Sequence, residues 1–327
     1  MIQLTRRQWM VGAAAATTVL GGGYAWFRYR HALDTAERRL AGSSTTLQTP
    51  FGTLEYAVAG SGPPLLMIHG TGGGFDQGLR FAGPLRQRGH QIIAPSRFGY
   101  LRSSFPVDPS VSNQADAYVA MLDQLGIDRL PVVGGSAGAL SAAAFALRYP
   151  HRCSALVLLV PAANVSGEDP VDMTALQQVA VRSLLNSDFL YWSALQLAPD
   201  RLVGTLLATD PRLLSSVSPR EHGRAMAILS DMLPIHARAK GMLNDAGQAG
   251  HPARMNFARL SMPVLLISVE DDRFGTAATA RRIAAVVPQA ELTIFPTGGH
   301  IWLGHDDDVA DRIHDFVRRA VPDQARR

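Results

Sequence analysis

Six short apolar runs, "PLLMI" 64–68, "HQIIA" 90–94, "LPVVG" 130–134, "ALVLLV" 155–160, "PVLLIS" 263–268 and "ELTIF" 291–295, recur along the chain. Turn residues bound them, and helix-length segments separate most of them. Runs apolar at every position fit strands covered on both faces, which is how parallel sheets are built. Helical patterns follow at about 78–88, 112–126, 137–149, 276–287 and 307–320. The strand-helix repeat predicts an α/β fold with a doubly wound, mostly parallel sheet. Ahead of it, "TTLQT" and "TLEYAVA" flank "PFG" and predict an antiparallel hairpin at the sheet edge. Between Pro161 and Pro263 no buried strand is evident, and helical patterns run at about 172–185, 188–197, 200–208 and 219–243. So long a stretch needs structure of its own, and it reads as a helical lid inserted into the sheet domain. The expected division is therefore a signal and linker over 1–44, a core over 45–162 and 256–327, and a lid over 163–255.

Charge narrows the function classes. The chain has 327 residues and a formal charge of +4, but residues 1–42 carry six Arg against Asp34 and Glu37. The remainder balances near zero, so the folded part presents no basic patch of the kind that binds nucleic acid. Cys153 is the single cysteine; it cannot form an internal disulfide and reads as a core thiol. The N-terminal segment is basic at Arg6-Arg7, uncharged from Trp9 to Phe27, and basic again at Arg28 and Arg30. Such a layout predicts an export signal or a membrane anchor. Thr5-Arg6-Arg7-Gln8-Trp9-Met10 resembles a twin-arginine export signal, which implies an exported protein, periplasmic or anchored facing the periplasm, with the export machinery as partner. The nearest small-residue cleavage candidate, Ala41-Gly42-Ser43, lies far downstream. A stable N-terminal helix is not expected across four Ala and Gly21-Gly22-Gly23, because Gly costs about 1 kcal/mol in a helix.

One turn carries the chemistry. "VVGGSAGAL" passes from a strand through Gly134-Gly135-Ser136-Ala137-Gly138 into an Ala-rich helix. Gly-x-Ser-x-Gly in that context exposes the Ser136 hydroxyl above the sheet and aims the helix N-terminus at developing negative charge. A serine hydroxyl needs a base. His300, in the Gly-rich loop "FPTGGHIWLGH" past the last strand, is placed for it, while His305 at "HDDD" and His314 fit surface or helical positions. An acid must orient that imidazole. Glu270, Asp271 and Asp272 all follow the strand that resumes after the lid, and one of them is expected to face His300. For the oxyanion, the Ala137 amide is one candidate donor. The second should come from "HGTGGG" 69–74, with Thr71 preferred and Gly72 the alternative; His69 is read as a support for that loop, not a base. Two rings on the lid helix "DFLYWSALQL", Phe189 and Trp192, share a face and are expected to roof an apolar pocket, with Trp302 as a third pocket candidate. No cofactor or metal cluster is called for.

From about residue 50 to 320 the chain resembles the α/β-hydrolase fold superfamily. "LLMIHGTGGG", "VVGGSAGALSAAAFALRYPHRCSALVLLVPA", "PVLLISVEDDRF" and "FPTGGHIWLGH" carry the resemblance. It implies Ser136 as nucleophile, His300 as base and Asp272 as acid, in the chain order Ser, Asp, His. Serine in the nucleophile position disfavours the haloalkane dehalogenase and epoxide hydrolase branches. In "APSRFGYLRSS" this chain has Ser96 and Leu101 where many relatives have Asp and Gly, so substrate cannot be carried over from any one branch. Arg97 in the same loop either pairs structurally or binds an anionic group. The expected activity is hydrolysis of a small or medium carboxylic ester through an acyl-enzyme, with that ester as the small-molecule partner. A carbon–carbon bond hydrolase of ring-cleavage products, and a non-catalytic ligand-binding protein on the same fold, are the alternatives.

Overall fold

The computed structural model describes residues 6–163, 181–250 and 254–321. The chain divides into two units, Met1–Ala41 and Gly42–Arg327. The described residues of the first form one helix, α1 (Arg6–Leu40). Gly21–Gly23 do not break it, contrary to the sequence expectation: the triplet costs helix stability, but Ala-rich and Arg/Glu/Ala-rich stretches on both sides propagate the helix through it. Gly42, in the left-handed region at φ 69°, follows its end. No helix among the described residues is long and apolar enough to cross a membrane. The side chains of the expected twin-arginine motif lie outside the described residues.

In the second unit, eight strands form one sheet in the order β1-β2-β4-β3-β5-β6-β7-β8. They are β1 (Thr45–Thr49), β2 (Gly52–Ala59), β3 (Pro64–Ile68), β4 (Gln91–Pro95), β5 (Leu130–Gly135), β6 (Cys153–Leu159), β7 (Val264–Val269) and β8 (Glu291–Phe295). β2 is antiparallel to β1 and to β4, and every other pairing is parallel. The doubly wound sheet read from the sequence is therefore present, hairpin included. β5, β6 and β7 are buried at every position, as central parallel strands must be when helices cover both faces. Helices α4 (Val111–Gln124), α5 (Gly138–Arg148) and α10 (Thr276–Val286) share a core with Leu66, Val132, Leu156 and Leu266. α3 (Gly83–Gln87) and α11 (Asp306–Ala320) pack against each other, and α11 also meets β6 and β7. Cys153 is in the core, where burial pushes its thiol up to about 12.

Two helical expectations need correction. The single helix expected near 78–88 is two, α2 (Phe75–Phe81) and α3, separated at Ala82 where Pro84 opens the second. Between β6 and β7 the described residues form a helical insertion with α6 (Asp188–Leu197), α7 (Pro199–Thr205), α8 (Pro219–Ser230) and α9 (Ala239–Gly250). The long helix expected over 219–243 breaks after Ser230, since Pro234 has no N–H and its ring clashes with a preceding helical turn. Most of the helix expected at 172–185 lies outside the described residues, which resume as helix at 181–185.

The crossing of α5 over the end of β3 has almost no free space. A Cβ on Gly138 would stand 2.4 Å from the His69 carbonyl oxygen and 2.7 Å from that of Ile68, whereas one on Gly135 would meet nothing within 4 Å. Gly138→Ala should therefore cost about 2 kcal/mol in a denaturant melt, because backbone has to move to admit the methyl. Gly135→Ala should stay within about 0.5 kcal/mol of the parent.

Candidate active site

Ser136 sits between β5 and α5 with φ 51°, a left-handed conformation that costs a non-glycine residue roughly 1–2 kcal/mol. The surrounding backbone holds it there. Its amide donates to the Leu159 carbonyl at 2.9 Å, and its own carbonyl accepts from Ala139 at 3.0 Å and Ala162 at 3.2 Å. Gly134 and Gly138 make the turn possible by close approach, since a Cβ on Gly134 would stand 2.6 Å from that of Ala142.

The structure brings three of the expected residues together. Ser136 Oγ lies 2.8 Å from His300 Nε2, and His300 Nδ1 lies 2.8 Å from Asp272 Oδ2. His300 is presented by a 3₁₀ turn, Gly299–Ile301, entered through Gly298 and Gly299 in left-handed backbone. Asp272 also accepts from the Phe274 amide at 2.9 Å and from the Thr276 hydroxyl. Burial alone would raise its carboxyl pKa, but the hydrogen bonds from His300, Thr276 and Phe274 hold it below the ordinary value. The neighbouring carboxylates have separate partners: Asp271 accepts the Gly299 amide at 2.8 Å and so fixes the histidine turn, and Glu270 pairs with Arg281.

A cavity of about 510 Å³ opens over this group. Thr71 and Ala137 line it with Ser136 and His300, and Gly72 does not. Trp302 lines the cavity; Phe189 and Trp192 do not. Those two share a helix face as expected, with ring centroids 6.0 Å apart, but the face is not the cavity's: Phe189 is 40% exposed and Trp192 is buried. The insertion's share of the wall comes from Leu206 and Leu207 after α7, Ile228 and Met232 around α8, and Met242 and Asp245 on α9.

Asp245 had no motif to reveal it; only its place three residues after Met242 on one helical face points toward the cavity. It accepts from Arg97 Nη1 at 2.7 Å and Nη2 at 2.5 Å, from Tyr100 Oη at 2.5 Å and from Thr71 Oγ1 at 2.9 Å. Arg97 is thus a structural partner, not a free anion-binding group. Burial works against its charge, and Asp245 more than restores it. The Arg97 amide donates to His69 Nε2 at 2.9 Å, and His69 Nδ1 bonds the Gly70 carbonyl at 2.7 Å. Burial and then Arg97 hold the His69 pKa well below its ordinary value, so His69 is a neutral brace with both ring nitrogens occupied. A second tie is Arg238, fully buried, which donates to the carboxylate of Asp76 and to the carbonyls of Gly73, Asp231 and Met232. Among the described residues, no group of three or more His, Cys, Asp or Glu is arranged to hold a metal.

Comparison with known proteins gives the family. The family model described as alpha/beta hydrolase fold matches residues 63–307. An uncharacterised hydrolase of Bacillus subtilis is 28% identical over 270 residues, covering 78% of this chain and 91% of its own. A 2-hydroxy-6-oxo-6-phenylhexa-2,4-dienoate hydrolase of Burkholderia cepacia is 26% identical over 272 residues, covering 74% and 82%. Among solved structures, an alpha/beta hydrolase fold protein from Nakamurella multipartita superposes with a TM-score of 0.70 at 24% identity, over 85% of this chain and 100% of that one.

Removing one partner of a buried, multiply bonded ion pair leaves the other charge stranded. Asp245→Ala should lower unfolding free energy by about 3–5 kcal/mol in urea titrations, and replacing both partners, Arg97→Met with Asp245→Leu, should recover most of that loss.

Proposed function

Because the chain belongs to the α/β-hydrolase fold family, we propose that it hydrolyses an uncharged carboxylic ester of small to medium size through an acyl-enzyme on Ser136. The observation that carries this reading is the continuous hydrogen-bonded line from Ser136 Oγ through His300 to Asp272, facing the cavity. His300 Nε2 takes the hydroxyl proton as Oγ attacks the ester carbonyl carbon, and Asp272 holds the Nδ1–H tautomer and offsets the imidazolium charge. The amides of Ala137 and Thr71 receive the carbonyl oxygen as it becomes an anion. Collapse of the tetrahedral species breaks the bond to the alkoxy oxygen, which leaves with the proton from His300. Water, deprotonated by the same imidazole, then releases the carboxylic acid and returns the proton to Oγ.

The cavity wall favours an uncharged substrate over a ring-cleavage product. The Burkholderia cepacia relative is named for a dienoate, a carboxylate. Here no Lys or Arg lines the cavity among the described residues, and its one carboxylate, Asp245, is already bonded to Arg97. Residues 164–180, which follow the lining residue Ala163, contain no Lys or Arg either. Moving a substrate carboxylate into such a site without a partner is costly. The discriminating experiment is a panel of neutral esters, half-esters bearing a free carboxylate, lactones and ring-cleavage products, run with the parent and Ser136→Ala. Neutral esters should give the highest kcat/KM; a preference for dienoates would reverse the assignment.

Ser136→Ala and His300→Ala should each lower kcat by roughly 10⁴–10⁶-fold, with the double variant little worse, because the residues act as one unit. Asp272→Asn should cost about 10⁴-fold by imposing the wrong tautomer on His300, and Asp271→Asn, whose carboxylate accepts the Gly299 amide and does not bond His300, should lose less. The opposite ranking would transfer the acid to Asp271.

For location, we propose that Thr5–Met10 is read as a twin-arginine signal and that the protein works outside the cytoplasm, either released after cleavage or held by the N-terminal segment. Support comes from the paired arginines, the uncharged stretch Trp9–Phe27 and the basic residues that close it. Arg6→Lys with Arg7→Lys should leave active protein in the cytoplasmic fraction. Undiminished export of that variant would refute the twin-arginine reading.

A further inference from the structure

Gln77, on α2, has donors that the mechanism above leaves idle. The residue is only 7% exposed, and it lines the cavity with Gly70, Thr71, Ser136 and Ala137. The Gly70 amide donates to its Oε1 at 3.0 Å. That bond settles which way the carboxamide is turned: an oxygen has to face the N–H, so the NH₂ occupies the other arm. Among the described residues, Nε2 donates no hydrogen bond, and it is not one of the polar atoms sealed in the interior without a partner. The carboxamide also lies close to the reacting centre. A methyl built on Gly70 would stand 3.1 Å from Ser136 Cβ and 3.7 Å from Gln77 Oε1, so the two side chains flank the same point of backbone.

We propose that the Gln77 NH₂ is a third donor to the oxyanion that forms when Ser136 attacks an acyl carbonyl, a side-chain hydrogen bond added to those from the Thr71 and Ala137 amides. The inference rests on Ser136 being the nucleophile. Its physical basis is the difference in acceptor strength between the two ends of the step. A neutral ester carbonyl is a modest acceptor, for which water in the open cavity is an adequate substitute. An alkoxide-like oxygen binds a fixed N–H much more strongly, and a donor already oriented by Gly70 needs no rearrangement to meet it. The tie to Gly70 thus does two things: it positions the loop that carries Thr71, and it aims the carboxamide. A residue of this kind adds to kcat and little to substrate affinity.

The test separates the tie from the donor. Gln77→Glu keeps an oxygen for the Gly70 amide and the length of the side chain but has no NH₂; Gln77→Met keeps the length and loses both. Each is compared with the parent for kcat and KM on p-nitrophenyl butyrate, for inhibition by an aliphatic trifluoromethyl ketone, whose adduct with Ser136 carries the same oxyanion, and for thermal unfolding. If Gln77 donates to the oxyanion, both variants lose about 100-fold in kcat, KM stays within about threefold, and the inhibitor weakens by a factor similar to the loss in kcat. If only the tie matters, Gln77→Glu keeps the parent's kcat while Gln77→Met loses activity, and the proposal is overturned. A fall in kcat with unchanged trifluoromethyl ketone affinity overturns it as well. Should Gln77→Glu fail to fold, the uncharged Gln77→Met decides: kcat and inhibitor affinity falling together at an unchanged melting temperature support the donor, whereas parent-like kcat and affinity, or a fall matched by a lowered melting temperature, overturn it. Turnover surviving in Ser136→Ala would instead remove the nucleophile on which the proposal stands, an outcome distinct from loss of the Gln77 role alone.

Discussion

Everything in the candidate site hangs on one tight backbone crossing. Gly138 at the start of α5 passes so close to the carbonyls of Ile68 and His69 that no side chain fits between them, and this contact locks the end of β3 to the turn after β5. Ser136 is then held in left-handed backbone by the Leu159 carbonyl of the adjoining β6. Three neighbouring parallel strands thereby fix one residue. Because parallel strands end at a common edge, the loops after β7 and β8 arrive at the same place and bring Asp272 and His300 with them. The strain at Ser136 is affordable only because so many backbone bonds over-determine it.

A second constraint joins the helical insertion to this edge. Arg97 and Asp245 are both buried, and neither charge would be tolerable alone. Their pairing and the Tyr100 hydroxyl tie α9 to the loop after β4, and the Thr71 hydroxyl, on the same carboxylate, ties it to the loop after β3. Arg238 and Asp76 make a parallel tie, and the pair Arg80 and Asp231 makes a third. On the opposite side, Glu221 of α8 accepts the Gly304 amide, and Arg224 donates to the Ile301 carbonyl, so the same insertion also braces the histidine turn. Its helices therefore do more than cover the cavity: they hold both loops that face Ser136.

These features were unequally legible in the sequence. The strands could be read because a strand buried on both faces is apolar at each position, a signal that needs no knowledge of its neighbours. The Gly134-x-Ser136-x-Gly138 turn was readable for a related reason, since its glycines answer to steric contacts a few residues away. Asp272 could not be separated from Asp271 by pattern, because both lie in one irregular loop and the difference is which of them faces an imidazole and which an amide 28 residues away. Phe189 and Trp192 were assigned to one face correctly and to the wrong surroundings, because periodicity gives the face of a helix but not what lies opposite it. Asp245 and Gln77 were invisible for the same reason. A carboxylate within a helical pattern reads as solvated until a buried arginine is found against it, and a glutamine after a glycine loop reads as surface until the loop amide is found bonded to it.

The charges that remain determine what the cavity can favour. Asp245 is neutralised by Arg97, Asp271 and Asp272 are absorbed in holding His300, and His69 is kept uncharged by burial and by its guanidinium neighbour. The proposed neutral ester would therefore meet a wall with no uncompensated charge among the described residues. In the mechanism proposed above, two charges would appear together during attack, an oxyanion near Thr71, Ala137 and Gln77 and an imidazolium at His300 backed by Asp272. In water such charges would be stabilised by solvent that must first reorient. Here the dipoles and the carboxylate are already in position, held by bonds made during folding, and in a partly apolar cavity their effect is larger than it would be in bulk solvent. The cost of arranging them is borne by the buried ion pairs and the left-handed serine, which are gathered at the edge of the sheet where Ser136, Asp272 and His300 meet.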